Sequence, residues 1–319
     1  MKIALLEPLR VPESRIHELA QPLIDDGHQF TYYPEKTTDP NELYERSKDA
    51  DIVMIANNPF PAKVIEKLEK TKFINVAFTG FDHVDSKACK DKGIAIANAS
   101  GYATTAVAEL ALGLTLDLFR AISTGNNDIR KVDFQGPFQG REINGKTVGI
   151  VGTGHIGLEI AKLFKAFGAK IIGYNRSEKQ EAKDLGIELV DLDELLSQSD
   201  IVSVHLPLNG ETKHLLNKEK LSLMKESAVI INVARGPIID NGALTDLLNK
   251  GKIAGAGIDV FDGEPPLPAD YRLLTAKNAI LTPHVGFLSD EAMALRAEIA
   301  FENTRAFIEG HPKNIVQEA

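Results

Sequence analysis

The chain has 319 residues, 43% of them hydrophobic and 25% charged, with a formal net charge of −9 and a single cysteine. That length accommodates two compact domains of ordinary globular composition, the acidity argues against a nucleic-acid surface, and Cys89 alone excludes an internal disulfide framework. The apolar run within Met1 to Pro8 is too short for a signal peptide, and no uncharged apolar stretch approaches the roughly 18 residues of a membrane span; the expected compartment is the cytoplasm and the expected partner a small molecule, neither nucleic acid nor membrane.

In chain order, short apolar runs at Ile3 to Leu6, Gln29 to Tyr33, Ile52 to Ala56, Phe73 to Phe78 and Ile94 to Ala97 read as strands. Helical patterns separate them, several opened by a proline suited to a first turn: Pro12, Pro40 and Pro61. Alternating strand and helix predicts an α/β domain with a parallel sheet covered on both faces, over residues 1–100. From Thr105 to Ile122 the spacing of Val107, Leu110, Ala111, Leu114, Leu118 and Ala121 predicts a helix with one buried stripe, a bridge between domains. Residues 123–145, with Gly125, Gly136, Pro137, Gly140 and Gly145, lack that period and read as an irregular connection.

The organising stretch comes next. A run rich in β-branched residues, Thr147 to Val151, meets Gly152-Thr153-Gly154-His155-Ile156-Gly157, and an apolar pattern of helical period follows at Ile156, Ile160, Leu163 and Phe167. Gly168 stops that helix and Ala169 to Tyr174 reads as the next strand. Within such a βαβ unit each glycine has a job: Gly152 permits the tight turn, Gly154 lets the backbone approach a pyrophosphate, and Gly157 lets helix and strand pack closely. The helix N-terminus offers unpaired N–H groups to the anion. A dinucleotide cofactor is therefore expected.

Beyond Asn175 the alternation resumes, with strands near Ile187 to Val190, Ile201 to His205, Ala228 to Val233, Gly255 to Phe261 and Ala279 to Leu281. A helix over Asn241 to Asn249 ends at Gly251, and a last helix begins after Ser289, with Asp290 and Glu291 at its positive end, and runs to about Glu309. That helix is a candidate to fold back onto the N-terminal domain, which would then comprise 1–100 and 288–319 around a dinucleotide-binding domain at 101–287. The fold class expected is α/β, two Rossmann-like domains with parallel sheets, the N-terminal one completed by the C-terminal helix.

Ligands of open parallel sheets bind beyond the carboxyl ends of the strands, so the polar residues there carry the chemistry. Arg235 follows the strand ending at Val233, Glu264 follows the one ending at Phe261, and His284 follows Ala279 to Leu281. Reduction of a 2-oxo acid by a nicotinamide calls for such a set: a fixed cation for carboxylate and carbonyl, and an acid to protonate the oxygen as hydride reaches carbon. Singly, each residue has a bland reading as a cap or a solvated turn; their joint arrival behind a dinucleotide motif changes the odds.

These residues resemble the D-isomer-specific 2-hydroxyacid dehydrogenase family. The matching segments are V-A-F-T-G-F-D-H-V-D (76–85), T-A-V-A-E-L-A-L (105–112), I-N-G-K-T-V-G-I-V-G-T-G-H-I-G, V-S-V-H-L-P-L, I-N-V-A-R-G-P-I-I-D, G-A-G-I-D-V-F-D-G-E-P and L-T-P-H-V-G, in the family's order and spacing. The resemblance implies that Arg235 binds the substrate carboxylate and carbonyl, that Glu264 supports the imidazole, and that His284 is the general acid or base. It also implies that backbone N–H groups around Thr79 and Gly80 hold the carboxylate. The cofactor would touch Gly152, Gly154, His155, Ile156, Gly157, His205, Pro207, Val233, Ala234 and Asp259, with Thr105 near the nicotinamide. A homodimer is likewise implied, and no metal.

Two departures from the family pattern bear on function. Where an NAD-binding unit carries an acid about 20 residues past the glycines, this chain has Asn175-Arg176-Ser177. Neutral Asn175 does not repel a 2′-phosphate and Arg176 can pair with one, which favours use of NADPH in an NAD(P) site that still admits NADH; the alternative is that Arg176 stacks over the adenine. Phe287-Leu288-Ser289 stands where small residues are usual and narrows the substrate side. The leading expectation is a reductase of small 2-oxo acids such as glyoxylate, hydroxypyruvate or pyruvate. An NAD(H)-sensing corepressor-like binding module is the alternative, and formate oxidation is disfavoured because that branch carries an amide where Glu264 stands.

Overall fold

A computed structural model describes residues 1–131, 138–177 and 179–317. The chain divides into two compact units, Met1–Ala103 with Leu288–Ala319, and Thr104–Phe287. The first break falls after Ala103, beyond residue 100, because Tyr102 and Ala103 are buried and the Tyr102 ring lies against Phe78 and under the Arg296 guanidinium.

In the first unit, β1 (Lys2–Leu5), β2 (Gln29–Tyr32), β3 (Ile52–Ile55), β4 (Phe73–Val76) and β5 (Ala95–Asn98) form a parallel sheet in the order β5-β4-β3-β1-β2. Strands β3, β4 and β5 are buried at every position, as expected where helices cover both faces. Strand alternation divides the side chains: Val53, Ile55, Ile74 and Val76 enter one core, while Ile52, Met54 and Phe73 enter the other.

That second core is closed by the helix Asp290–Ile308, which contributes Ala297, Ala300 and Phe301, so the N-terminal unit is completed by the C-terminal helix. Ser289 caps it, accepting from Ala292 N at 3.1 Å, and Phe307 stacks on Phe73 with centroids 4.2 Å apart. Asn75, wholly buried, donates to the Ala300 carbonyl at 2.5 Å and to Thr304 Oγ1 at 2.9 Å.

The second unit holds β6 (Thr147–Val151), β7 (Lys170–Tyr174), β8 (Glu188–Leu189), β9 (Ile201–Val204), β10 (Val229–Asn232), β11 (Gly255–Ile258) and β12 (Ala279–Leu281), all parallel, in the order β12-β11-β10-β9-β6-β7-β8. Chain direction across the sheet reverses between β6 and β9. A thirteenth strand, β13 (Ile315–Gln317), pairs antiparallel with β5 in the first unit; the sequence reading did not include it. Three residues carry too little periodicity to register as a strand.

One stretch corrects the sequence reading. The helix Thr104–Arg120 ends where Ala121 takes φ +50°, and a second helix, Ile122–Lys131, occupies part of the expected irregular connection. It has no buried residue, so no apolar stripe betrays it. Gly136 and Pro137 of the same stretch lie outside the described residues.

Candidate active site

The carboxyl ends of β6, β7 and β9 meet where the strand order reverses, the place at which an open α/β sheet leaves a crevice. Gly152 leaves β6 with φ +104°, and a Cβ there would come within 2.8 Å of the His205 carbonyl oxygen. At position 157 a Cβ would lie 2.0 Å from the Gly152 carbonyl oxygen, so a glycine is required for the helix His155–Ala166 to start this close to the strand. Gly154 is the N-cap, with nothing within 4 Å of where its Cβ would point. The first-turn N–H groups, with exposed His155 and half-buried Ile156, thus open beside a bare backbone, the arrangement that receives a pyrophosphate.

Flanking residues complete this side. His205 N donates to the Val151 carbonyl at 2.8 Å, bringing the segment that ends with exposed Pro207 alongside the glycine turn. Burial pushes the His205 imidazole down to about 3, so the ring is neutral near pH 7; its Nε2 lies 2.8 Å from Ser203 Oγ while Nδ1 is buried without a partner. Thr153 Oγ1, in the turn itself, is also buried and unpartnered. An open cradle bordered by two unsatisfied polar atoms fits a polar cofactor better than a closed structural turn.

Past β7, Asn175 donates to the Ser177 carbonyl at 2.8 Å and Arg176 pairs with Glu211 at 2.8 Å, both ends of that ion pair being largely exposed. Glu211 lies 35 residues away in the loop after β9, where no local spacing flags it as a neighbour.

On the other half of the sheet, β10, β11 and β12 are adjacent, and each delivers one candidate from its carboxyl end. After β10, buried Val233 and half-buried Ala234 lead to Arg235; Asn232 shapes this turn, accepting from Ala234 N at 3.1 Å and donating to the Arg235 carbonyl at 3.0 Å. The Arg235 guanidinium is half-buried and donates to the Ala234 carbonyl at 2.7 Å. His284 and Glu264 are joined directly, with Nδ1 2.8 and 2.9 Å from the two carboxylate oxygens. An ionised carboxylate only accepts, so Nδ1 carries the proton and Nε2 is left for other chemistry. Among the described residues no hydrogen bond links Arg235 to either partner.

His284 takes φ +53°, a left-handed conformation that a non-glycine side chain adopts at a cost. Asp259 holds it there. This residue is 1% exposed, and its carboxylate accepts from Thr282 Oγ1 at 2.6 Å, Val285 N at 2.9 Å and Gly286 N at 2.8 Å, while its carbonyl accepts from His284 N at 2.9 Å. The Asp259 carboxylate thus braces the loop that carries the imidazole. Phe287 stands edge-on to the His284 ring, centroids 5.5 Å apart.

Thr105 is exposed on the first turn of the helix Thr104–Arg120. In the first unit, exposed Thr79 and half-buried Gly80 follow β4, and Asn98 anchors them by donating to the Thr79 carbonyl at 2.7 Å. No group of His, Cys, Asp or Glu arranged to hold a metal ion occurs among the described residues, and Cys89 is buried with its thiol pushed up to about 12 by that burial.

Comparison with known proteins accords with this geometry. The family model described as the NAD binding domain of D-isomer specific 2-hydroxyacid dehydrogenases matches residues 112–286. A hydroxypyruvate reductase of Blautia hydrogenotrophica is 36% identical over 91% of this chain and 92% of its own, and a glyoxylate reductase of Thermococcus litoralis is 35% identical over 99% and 97%. Among solved structures, an acyclic imino acid reductase in complex with NADPH and D-Arg superimposes with a TM-score of 0.87 at 30% identity, covering 99% of this chain and 100% of that one. The chain belongs to the D-isomer specific 2-hydroxyacid dehydrogenase family, oxidoreductases that move a hydride between a nicotinamide cofactor and a 2-oxo or 2-hydroxy acid.

Proposed function

We propose that this dehydrogenase reduces small 2-oxo acids, with glyoxylate, hydroxypyruvate and pyruvate as candidates, to D-2-hydroxy acids, and that it favours NADPH. The observation that carries the reading is the His284–Glu264 pair, 2.8 Å apart at the carboxyl edge of the sheet that also bears the glycine cradle. The nicotinamide, when bound, supplies the hydride. As the imidazolium, with Nδ1–H held by Glu264, His284 delivers its Nε2 proton to the carbonyl oxygen as hydride reaches carbon and is left as the neutral Nδ1–H tautomer that Glu264 orients. Arg235 holds the substrate carboxylate and polarises the carbonyl, and backbone N–H groups around Thr79 and Gly80 hold the carboxylate.

On the cofactor, Gly152, Gly154, His155, Ile156 and Gly157 take the pyrophosphate, while His205, Pro207, Val233, Ala234, Thr105 and the loop held by Asp259 line its nicotinamide half. Asn175 and Arg176 accept the 2′-phosphate. That last assignment draws support from the relative solved with NADPH, and Arg176 must exchange Glu211 for phosphate. The exchange is cheap, since an exposed ion pair contributes about 0–1 kcal/mol.

Absorbance at 340 nm with NADPH and NADH against a panel of 2-oxo acids tests the reading. Turnover of no member sinks it, and a large kcat/KM preference for NADH sinks the cofactor assignment alone. The corepressor-like alternative is the weaker reading, because the relatives are named as reductases and the imidazole–carboxylate pair of an acid catalyst is intact.

A cytoplasmic homodimer acting on a small molecule, with no nucleic acid, completes the proposal. Net charge −9 argues against a nucleic-acid partner, and among the described residues no helix is long and apolar enough to cross a membrane. Ile122 and Ile129, 58% and 66% exposed and two turns apart on a helix that buries nothing within its own chain, are apolar surface for a second copy. Sedimentation of the wild type against an Ile129→Glu variant checks it.

A further inference from the structure

The Glu264 side chain is 75% exposed, against 24% for the imidazole it supports. Little packs on that carboxylate, and an exposed ion pair is too weak to hold a long side chain in one geometry. Its aim therefore depends on how the backbone at 262–264 is anchored.

The anchor is Asp262. Its Oδ1 accepts from Asn241 Nδ2 at 2.9 Å and its Oδ2 from the Tyr271 hydroxyl at 2.9 Å, while its own N–H donates to that hydroxyl at 3.3 Å. Burial pushes the Tyr271 phenol up to about 12, which keeps its proton available to donate. The Tyr271 ring stands edge-on to Phe261, centroids 5.9 Å apart.

Asn241 reaches the other way as well. It is 5% exposed, and its Nδ2 lies 3.4 Å from the carbonyl oxygen of Gly236, the residue after Arg235. At Gly236 a Cβ would fall 2.0 Å from the Phe261 carbonyl carbon and oxygen, so the Arg235 turn is pressed directly onto the backbone that leads into Asp262. A cavity of about 230 Å³ borders Asn241, Asp262 and Tyr271, leaving room for the loop to slacken if these bonds are lost.

We propose that Asp262, gripped by Asn241 and Tyr271, is a positioning residue that ties the turn carrying Arg235 to the loop carrying Glu264 and so keeps the Glu264 carboxylate on His284 Nδ1. The proposal rests on the roles given above to Arg235, Glu264 and His284. None of the three network residues touches substrate or cofactor in it.

The test uses the full-length protein with Asp262→Ala and Tyr271→Phe. Three measurements are made: kcat and KM for the 2-oxo acid turned over fastest, cofactor affinity by fluorescence titration, and the His284 tautomer by nitrogen NMR without ligands. Asp262→Ala is expected to lower kcat about 10- to 100-fold with cofactor affinity within about twofold, and Tyr271→Phe to lower kcat less. In both, the Nδ1-protonated signature of His284 gives way to mixed tautomers.

Unchanged tautomer populations in folded Tyr271→Phe overturn the proposal, as does an Asp262→Ala enzyme with wild-type kcat. If Asp262→Ala fails to fold, Tyr271→Phe, which removes one oxygen and keeps the ring, decides alone. The NMR readout requires no turnover. Loss of the reductase reading and loss of this inference are therefore told apart: no activity with a tautomer shift sinks only the former.

Discussion

The two halves of the second unit's sheet do different work by different means. Around β6 and β7 the proposed cofactor site is built from backbone: a turn at φ +104°, a helix N-terminus, and Gly157, where an added Cβ would lie 2.0 Å from the Gly152 carbonyl oxygen. Around β10, β11 and β12 the proposed catalytic set is made of side chains, an imidazole, a carboxylate and a guanidinium, each following a separate strand. Backbone devices are encoded within a few consecutive positions. Side-chain devices depend on partners scattered from 232 to 286.

The largest expected effect breaks the side-chain half alone. His284→Asn should lower kcat by about 10²–10⁴, the usual contribution of a positioned acid, while cofactor affinity stays near wild type. Steady-state kinetics beside a cofactor titration checks this, and undiminished turnover would refute the proton-transfer role.

Gly157→Ala strikes the backbone half. The new methyl meets the Gly152 carbonyl oxygen, which cannot retreat as a flexible side chain would, and overpacking of this kind costs about 1–3 kcal/mol. Thermal melts should show a lower Tm and titration a weaker cofactor, with no loss of kcat at saturation beyond that explained by occupancy. A variant that melts and binds as the wild type does shows that the turn can yield.

His205 links stability to pH. Its folded pKa, about 3, lies below the ordinary histidine value near 6.5, so the unfolded chain binds the proton more readily. The associated stability is present above pH ~6.5 and is lost as pH falls through the window down to about 3, by at most about 2 kcal/mol at pH 5. His205→Gln should therefore flatten the decline in Tm between pH 7 and pH 5. An equally steep decline assigns the acid sensitivity to other groups.

The smallest effect sharpens the cofactor assignment. Glu211→Gln frees Arg176 from its exposed partner and removes a negative charge near the expected 2′-phosphate, so the NADPH to NADH ratio of kcat/KM should rise by up to about fivefold. A fall in that ratio places Arg176 elsewhere.

Much of this was legible in the residues. Each strand near the site was found to within a few positions, because apolar runs bounded by glycine and proline report burial on both faces. The helix Ile122–Lys131 escaped because it buries nothing. The strand Ile315–Gln317 escaped because it is short and pairs with a partner more than 200 residues earlier. Among site residues, His284, Glu264 and Arg235 stood out through chemical type and position after strands, while Asp262, Asn241, Tyr271 and Glu211 did not. Their importance lies wholly in whom they face.

By itself, then, the sequence determined the βαβ cradle, the alternation that makes two parallel sheets, and which residue types arrive at the sheet edge, since all of these follow from local spacing and conformational preference. Tertiary structure alone decided that Asp259 braces the imidazole's loop, that Asp262 meets buried Asn241 and the Tyr271 hydroxyl two residues before Glu264, and that Arg176 faces a carboxylate. Hydrogen bonds between side chains far apart in the chain are set by the distance between folded strands, and nothing in linear spacing records it.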